Sequence, residues 1–389
     1  MTEWREVTIE ELAEKIAMGP FGSDIKVETF KPCGVPIISG KHLHETRMRD
    51  KGFNFISEEH ADKLSNANVF RGDVIFTHAG NIGQVSFIPE NSKYERYVIS
   101  QRQFYLRCNS NVLDYEFIAY YFKSPYGQYQ LLANANQTGV PSLAQPVSYL
   151  KSIKVLLPPL TEQKAIAEVL SSLDDKIDLL TRQNKTLEDL AQAYFRKWFI
   201  EDIHNKICYK RFADVVEFSK GKKPREIIEE QRKGYVRQIL IDTFDTDKEY
   251  YTRPEGMIIS TETDILMVMD GASSGRVEIG FSGVVGSTIG MFRPKSDFKY
   301  PMFLYEFLKS NEEFIMDNTT GSAIPHADKK LIFELEIPYF QEEKIQEFEN
   351  FALVLFNKRQ NNRRQIRTLT KLRDTLLPKL ISGEIRVKM

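Results

Sequence analysis

The 389-residue sequence predicts an α+β protein in which two similar mixed α/β globules alternate with two long helices. Two observations lead to this prediction. The second half of the chain repeats the first half at an offset of roughly 180 to 200 residues, and each copy ends in a long segment with a heptad pattern of apolar residues. Solenoid repeats are only about 20 to 50 residues long, so a period of this length indicates a duplicated domain.

Four pairs of segments carry the repeat, and they occur in the same order in both copies. The pairs are 73–85 with 264–277, 117–124 with 303–310, 138–141 with 320–325, and 157–164 with 337–344. In the first pair, two glycines follow a predicted strand: Gly80 and Gly83 in one copy, Gly271 and Gly275 in the other. These glycines either form a turn that requires positive φ or let the backbone approach a ligand closely.

The globules are predicted to be α+β because short strand-like runs, separated by Gly and Pro, mix with helical stretches. The predicted strands are 35–39, 73–77, 104–107 and 153–157 in the first globule, and 236–241, 264–268 and 289–293 in the second. The predicted short helices are 9–17, 57–63, 115–123 and 302–309. Within each globule we expect one mixed, strongly curved sheet. The predicted division is a first globule (1–157), a first helical region (158–205), a second globule (206–338) and a second helical region (339–389).

The first long segment, 161–199, contains neither Gly nor Pro and repeats its seam residues at alternating steps of four and three. Its seam is Ile166, Leu170, Leu173, Ile177, Leu180, Asn184, Leu187, Ala191, Tyr194 and Trp198. The second segment, 341–377, is less regular and is expected to end at Pro378 and Gly383. Its seam is Ile345, Phe348, Ala352, Leu355, Arg359, Asn362, Ile366 and Leu369, continued after a slip by Leu372, Leu376 and Leu380. Each helix must bury its seam, so we expect the two helices to pair.

We expect this pair to be an antiparallel two-helix coiled coil. A head-to-tail duplication of globule plus helix then closes with approximate two-fold symmetry, and the globules lie at opposite ends of the pair. Asn184 in the first seam, and Arg359 with Asn362 in the second, are polar. They are either tolerated surface positions or a polar layer that fixes the register of the helices.

The overall composition gives few constraints on function. The sequence has no signal-peptide pattern and no apolar run near 18 residues, so we expect a cytoplasmic protein without a membrane segment. Cys33, Cys108 and Cys208 are isolated, which indicates neither a disulfide framework nor a zinc site. The net charge of −1 by itself argues mildly against a nucleic-acid partner, although the segment 219–225 contains four cations.

The sequence contains no catalytic signature. It has no Asn-Pro-Pro-Tyr-type motif, no Gly-rich turn for a methyl-donor cofactor and no phosphate-binding loop. The six histidines form no set of metal ligands. We therefore predict no catalytic, cofactor-binding or metal-binding residues, and the duplicated frame favours a scaffold that binds a two-part ligand.

The loops of the two copies share a frame but differ at their tips. His78 corresponds to Met269, and His326 corresponds approximately to Leu143. This pattern is expected of two domains that read different DNA sequences, since Arg suits guanine, Gln or Asn suits adenine, and Ser or Thr suits phosphate. Any one of these side chains could instead be plain surface. The candidates are Lys41, His42, Thr77, His78, Asn81, Gln84, Gln101, Arg102 and Gln103 in the first globule, and Lys220, Lys222, Lys223, Arg225, Arg237, Gln238, Asp270, Ser273, Ser274, Arg276, Ser287, Thr288 and His326 in the second.

Short phrases at the junctions between globules and helices resemble those of a known family. Residues 156–164 open the first long segment, preceded by 137–142, and residues 320–325 and 337–344 echo them. Residues 376–385 close the chain with Leu-Leu-Pro-Lys-Leu-Ile-Ser-Gly-Glu-Ile. Because these phrases occur in this order and are repeated in the second copy, the chain resembles the specificity subunit of type I restriction–modification enzymes over essentially its whole length.

The resemblance implies a non-catalytic subunit with two target-recognition domains, each reading one half of a split double-stranded DNA site. The helices would act as a ruler and as the dock for two methyltransferase subunits, to which restriction motor-nuclease subunits can add. S-adenosylmethionine, and ATP with Mg²⁺, would be bound by these partners. The second copy departs from the usual Pro-Leu-x-Glu-Gln phrase at 339–343. The docking residues implied by the resemblance are Leu160, Glu162, Gln163, Phe340, Glu342 and Glu343.

Two alternative functions remain open at the level of sequence. One is a stand-alone DNA methyltransferase or nuclease, against which the missing motifs argue. The other is a coiled-coil adaptor that does not bind DNA.

Overall fold

A computed structural model describes residues 4–22, 24–136, 139–201, 208–246, 248–321, 323–339 and 342–387. The chain divides into two compact units, the first formed by 1–176 with 369–389 and the second by 177–368. Each unit thus combines one globule with sections of both long helices. The predicted division into four segments stays a prediction, and its boundary at 205/206 lies outside the described residues. Among the helices of the described ranges, none is long and apolar enough to cross a membrane.

The first unit contains short strands and helices in mixed order. Its strands are β1 (Arg5–Thr8), β2 (Ala13–Met18), β3 (Val35–Ile38), β4 (Asn54–Ile56), β5 (Asn68–Phe70), β6 (Val74–Thr77), β7 (Val85–Phe87), β8 (Arg96–Ile99), β9 (Gln103–Cys108), β10 (Ala135–Asn136), β11 (Ser142–Leu143) and β12 (Lys154–Leu157). Its helices are α1 (Ile9–Leu12), α2 (Glu58–Lys63), α3 (Tyr115–Lys123), α4 (Pro125–Leu132) and α5 (Pro146–Ser152), followed by the long helix α6 (Leu160–Arg196).

Two four-stranded sheets form the body of this unit, where the sequence predicted one curved sheet. One sheet is antiparallel with the order β2-β9-β6-β7, and the other has the order β4-β3-β8-β5 with β3 parallel to β8. Strand β6 is buried on both faces, because Val74 and Phe76 belong to one apolar cluster and Ile75 to another. That double burial explains its unbroken apolar sequence.

The second unit repeats this architecture. Its strands are β13 (Cys208–Arg211), β14 (Val216–Lys220), β15 (Val236–Ile239), β16 (Tyr250–Thr252), β17 (Ile259–Ser260), β18 (Ile265–Val268), β19 (Val277–Glu278), β20 (Gly283–Val285), β21 (Ile289–Pro294) and β22 (Glu336–Tyr339). Its helices are α7 (Phe212–Val215), α8 (Pro301–Ser310), α9 (Glu312–Asp317), α10 (Lys329–Glu334) and the long α11 (Glu342–Ile381). The sheet orders β14-β21-β18-β19 and β16-β15-β20-β17 reproduce those of the first unit, with β15 parallel to β20. The predicted duplication is therefore present in the strand topology.

The helix predicted at 9–17 is wrong beyond its first turn. Residues Ile9–Leu12 are helical, but Ala13–Met18 form β2 and pair with β9. The strand partner lies about 90 residues away in the sequence, and its backbone hydrogen bonds override the local helical pattern.

Sections of the two long helices lie antiparallel within each unit. In the first unit, Asp174 of α6 pairs with Arg373 of α11, while the earlier α6 residues Ile166 and Leu170 share an apolar cluster with the later Leu380. In the second unit, the Tyr194 ring lies 4.7 Å from that of Phe351. The later Trp198 accepts a hydrogen bond from the earlier Lys344. The predicted antiparallel orientation is confirmed inside both units.

Two details of the helix predictions are corrected. Pro378 does not end α11, which runs on to Ile381 because Leu380 and Ile381 are buried in the first unit's core. Helix α6 ends at Arg196 and is followed by a π-helical turn, Lys197–Glu201. The seam residues Tyr194 and Trp198 contact Phe351 and Phe348 of α11, but the side chains that become fully buried at this end are Phe195 and Phe199, which are not in the predicted seam.

Candidate nucleic-acid interface

The loops at the ends of β6 and β18 are held by the same backbone hydrogen bonds. In the first unit, Gly80 donates its N–H to the carbonyl oxygen of Pro141 at 2.8 Å. In the second, Gly271 donates to Pro325 at 3.0 Å. Both glycines have positive φ, 84° and 111°, so the turn interpretation accounts for them.

The frame continues with a second matched pair of bonds. The N–H of Leu143 donates to the carbonyl oxygen of His78 at 2.8 Å, and the N–H of Ala327 donates to the carbonyl oxygen of Met269 at the same distance. This register corrects one sequence correspondence. Ala79 forms an isolated β-bridge with Ser142, and Asp270 forms the equivalent β-bridge with His326. His326 therefore matches Ser142 rather than Leu143.

Three candidates of the first unit are engaged with one another beneath the loop. Thr77 and Gln103 are each 1% exposed, and the Thr77 hydroxyl donates to Gln84 Oε1 at 3.1 Å. The Gln84 amide donates in turn to the carbonyl oxygen of Gly40 at 3.1 Å. Ser100 donates to the Gln103 side-chain oxygen. These side chains support the loop, and direct contact of Thr77 or Gln103 with a base would require their exposure.

The two candidate histidines of the first unit are also tied to the backbone. His42 Nδ1 accepts the N–H of Ser39 at 2.9 Å, and its ring lies 4.6 Å from that of Phe53. His78 Nε2 lies 3.0 Å from the carbonyl oxygen of Gln101. Burial lowers the pKa of both histidines, so both rings are neutral near pH 7 and add no positive charge to the surface.

Lys41, Asn81, Gln101 and Arg102 remain at the surface. All but Asn81 line a set of adjoining cavities of about 950, 230 and 360 Å³, which we call the first-unit groove. The groove also contains cations that the sequence analysis missed, namely Lys15, Arg47, Arg49, Lys51 and Lys63. The run 41–51, with four Lys/Arg residues, was an available signal. Asp175 pairs with Arg47 and Glu45 with Arg49, which partly neutralises this charge.

Several candidates of the second unit are held inside it. Gln238 is fully buried, and Ser274, 2% exposed, donates to the carbonyl oxygens of Gly271 and Pro325 at 2.7 and 2.8 Å. Arg276 forms ion pairs of 2.8 Å with both Asp245 and Glu278. Arg237, Ser273 and Thr288 are partly exposed and Ser287 is exposed.

A charged cluster occupies the loop tip of the second unit. Asp270 lies 2.9 Å from Lys220 Nζ and 2.8 Å from His326 Nδ1. Burial opposes ionisation of Asp270, but the hydrogen bonds from Lys220 and His326 prevail and lower its pKa. Lys222, Lys223 and Arg225 are exposed beside this cluster in the sequence, and Lys222 donates to the carbonyl oxygen of Gly256 at 3.2 Å.

Two of the expected docking residues lie inside the first unit instead of at its surface. Gln163 is fully buried and joins α6 to the globule through the carbonyl oxygens of Val112 and Pro158. Glu162, 2% exposed, accepts hydrogen bonds from Trp4 and Arg386. Leu160 is half-buried, Glu342 and Glu343 are exposed, and Phe340 lies outside the described residues.

Within the described ranges, no three His, Cys, Asp or Glu side chains are grouped so that they could hold a metal ion. The arrangement offers exposed cations and amides on matched loops, which suits recognition of an anionic ligand with polar edges.

Comparison with known proteins identifies the family. The model of the type I restriction modification DNA specificity domain matches residues 1–189 and again 205–362. The type I restriction enzyme MjaIX specificity subunit of Methanocaldococcus jannaschii is 26% identical over 420 residues, covering 99% of this chain and 94% of that protein. The MjaVIII specificity subunit of the same organism is 30% identical over 183 residues, covering 44% of this chain and 41% of that protein.

The fold has a counterpart among solved structures. The crystal structure of a type I restriction–modification system S subunit from M. genitalium superposes with a TM-score of 0.64 at 20% identity, covering 99% of this chain and 96% of that one. With the two family-model matches, the chain belongs to the type I restriction modification DNA specificity family and is a non-catalytic specificity subunit with two target-recognition domains.

Proposed function

We propose that the two target-recognition domains read the two halves of a gapped double-stranded DNA site and thereby direct adenine methylation and restriction by partner subunits. The observation that carries this proposal is the duplicated loop frame whose exposed tips differ. At the bridge between the loops, the first unit has Ala79 and Ser142 where the second has Asp270 and His326. On the neighbouring loop, the exposed Arg102 of the first unit stands where the second has the partly exposed Thr288. A shared frame with different tips suits two readers of different base sequences.

The test exchanges one domain at a time. Residues 1–157 are replaced by the corresponding domain of a relative, and 206–338 are replaced in a second variant. Each protein is expressed with its methyltransferase, and methylated sites are mapped by sequencing the genome of the host. We expect each exchange to change one half of the methylated motif and to leave the other half unchanged. A change of both halves, or of neither, would contradict the proposal.

Two further assays, of DNA binding by the unmodified complex and of activity by the chain alone, separate the alternative functions. If the unmodified complex fails to bind DNA at all, the chain acts as a coiled-coil adaptor. If the chain alone methylates or cleaves DNA when supplied with S-adenosylmethionine or Mg²⁺, it is a stand-alone enzyme.

We further propose that methyltransferase subunits dock on the exposed sides of the long helices, and that these partners bind S-adenosylmethionine while motor-nuclease partners bind ATP with Mg²⁺. Apolar side chains remain in solvent there: Leu179 is 40% exposed, Leu190 38% and Val354 67%. A partner that covers these side chains would gain the free energy of removing apolar surface from water.

The docking surface is tested with the double variant Leu190→Glu and Val354→Glu. It should keep the unfolding temperature of the unmodified chain but lose co-purification with the methyltransferase. Thr186→Glu, at an exposed polar position of the same helix, serves as the matched control. Normal co-purification of the double variant would place the dock elsewhere.

A further inference from the structure

Phe21 lies on the surface of the first unit almost without cover. Its side chain is 85% exposed, more than any other large apolar side chain in the described ranges. Exposing a phenyl ring to water costs about 25 cal/mol per Å² of apolar surface, so a ligand that covered Phe21 would gain that free energy.

Hydrogen bonds are formed by residues on both sides of Phe21 and by its own backbone. Gly19 donates its N–H to the carbonyl oxygen of Gln103 at 2.8 Å, and a Cβ atom at Gly19 would lie 2.1 Å from the carbonyl oxygen of Ser100. The N–H of Phe21 donates to Asp24 Oδ2 at 3.1 Å, and the N–H of Asp24 donates back to Phe21 at 3.0 Å. Phe21 therefore follows a glycine bonded to β9 and is itself bonded to Asp24, while its ring stays exposed.

The surroundings of the loop are those of the proposed DNA-binding surface. Phe21 lines the largest cavity of the first-unit groove together with Gln101, Arg102, Lys15 and Lys63. An apolar ring set among cations and an amide matches a ligand that has both a charged backbone and flat apolar faces. Duplex DNA offers both.

The second unit has the same loop with different chemistry. Gly221 donates its N–H to Ile289 at 2.9 Å, and a Cβ atom there would lie 2.1 Å from the carbonyl oxygen of Gly286. Gly221 thus occupies the place of Gly19, after β14 as Gly19 follows β2. The residues that follow are Lys222, Lys223 and Arg225, all exposed, where the first unit has Pro20 and Phe21.

We infer that Phe21 makes an apolar contact with a base of the half-site read by the first unit, whereas the equivalent loop of the second unit contacts phosphates through Lys222 and Lys223. This inference rests on the proposed function. A phenyl ring carries no charge for a phosphate, but it can pack on a thymine methyl group or against the face of an opened base step. The first loop therefore contributes to affinity by burying apolar surface, and the second contributes through charge.

The salt dependence of DNA binding distinguishes these terms. The complex of the chain with its methyltransferase is titrated with a labelled duplex that contains the methylated motif, over a series of salt concentrations. Phe21→Ala should weaken binding by about tenfold and leave the slope of log K against log [salt] unchanged. The double variant Lys222→Ala with Lys223→Ala should lower the magnitude of that slope by about 2, since each phosphate contact contributes about 0.9.

Matched controls separate folding from contact. Because Phe21 is exposed, the unfolding temperature of Phe21→Ala should equal that of the unmodified protein, and Phe21→Leu should retain part of the affinity. Replacing thymine by uracil in the first half-site should weaken the unmodified complex but not Phe21→Ala if the ring contacts a methyl group. A 2-aminopurine probe should instead lose fluorescence enhancement in Phe21→Ala if the ring separates bases.

The results distinguish a failure of this inference from a failure of the proposed function. Full affinity of Phe21→Ala, or a reduced salt slope in that variant, would overturn this inference while leaving the proposed function intact. If the unmodified complex shows no preference for the motif, the proposed function and this inference fall together.

Discussion

Asn362 of α11 donates a hydrogen bond from its side-chain nitrogen to Asn184 Oδ1 of α6, at 3.0 Å. Asn362 is fully buried and Arg359, one turn away, is 6% exposed and lies 3.6 Å from Glu188. The interpretation of these seam residues as tolerated surface positions is therefore wrong for Asn362 and Arg359. The predicted polar layer between the helices exists in the second unit, where it restricts which residues can face one another.

The asparagine pair predicts an asymmetric cost of substitution. Asn184→Leu should destabilise the protein by about 1–3 kcal/mol, because it removes the nearer partner of a buried amide. Asn362→Leu should cost much less, since the half-buried Asn184 can bond to water instead. The double variant should also be close to the unmodified protein. Urea unfolding of the three variants gives these values, and equal losses in both single variants would contradict the account.

Two buried glutamines predict opposite responses to the same change. The side-chain amide of Gln238 has no hydrogen-bond partner among the described residues, whereas Gln103 bonds to Ser100 and Thr77. Gln238→Leu should be neutral or stabilising, because it removes a buried polar group without a partner. Gln103→Leu should destabilise by about 1–3 kcal/mol. Thermal unfolding of both variants tests the difference, which would be refuted if Gln238→Leu were the more damaging.

A buried carboxyl group predicts a pH dependence of stability. Burial raises the pKa of Glu306 to about 8, despite the opposing charge of Arg359, and its Oε2 has no partner in the described part of the chain. The folded state therefore holds this proton more tightly than the unfolded state. The contribution to stability is full below the ordinary pKa of a glutamate, near 4.5, and is lost as the pH rises through 8.

Glu306→Gln removes this titration and should flatten the dependence. Between about pH 5 and 8, the unmodified protein should lose roughly 1 kcal/mol per pH unit relative to the variant. Glu349, whose pKa burial raises to about 7, is present in both proteins, so its contribution cancels in the comparison. Unfolding free energies measured across this range provide the test. Parallel curves for the two proteins would exclude the assigned role of Glu306.

The long helices predict a change in the spacing of the DNA site. Four residues inserted into each helix, between Lys176 and Ile177 and between Thr368 and Leu369, fall at the boundaries of the compact units. The insertions add about 6 Å of helix, and duplex DNA rises about 3.4 Å per base pair. The gap between the half-sites should grow by one or two base pairs while the bases read stay the same.

Methylation mapping of the double insertion measures this spacing. An insertion in only one helix is the control, since it shifts one seam against the other and should destabilise the pair. Circular dichroism first establishes that the double insertion is folded. If this folded variant methylates only the original spacing, the helices do not set the gap.

Part of this architecture follows from the sequence because it depends on neighbouring residues. The run Val74–Thr77 and its repeat Ile265–Val268 are strands as predicted, apart from one residue at each start. The α3 bounds Tyr115–Lys123 are those predicted. The heptad seams predicted both long helices, and the seam of α11 continues to Leu380, beyond Pro378, where the sequence predicted the end of the helix. The periodic spacing of apolar residues within a segment depends only on nearby residues, so it predicts an element without knowledge of its distant partners.

The sequence also determined the duplication and the family, since the order of matched segments does not depend on which side chains become buried. Only the tertiary structure decided which candidate residues reach the solvent. Thr77 and Gln103 are buried and Arg102 is exposed, although all three lie at or next to the ends of the paired strands β6 and β9. Gln84 is tied to Gly40, 44 residues away in the chain. Burial and hydrogen bonding of a polar side chain are set by such distant partners, so a pattern of neighbouring residues indicates where a loop lies but not which of its side chains faces a ligand.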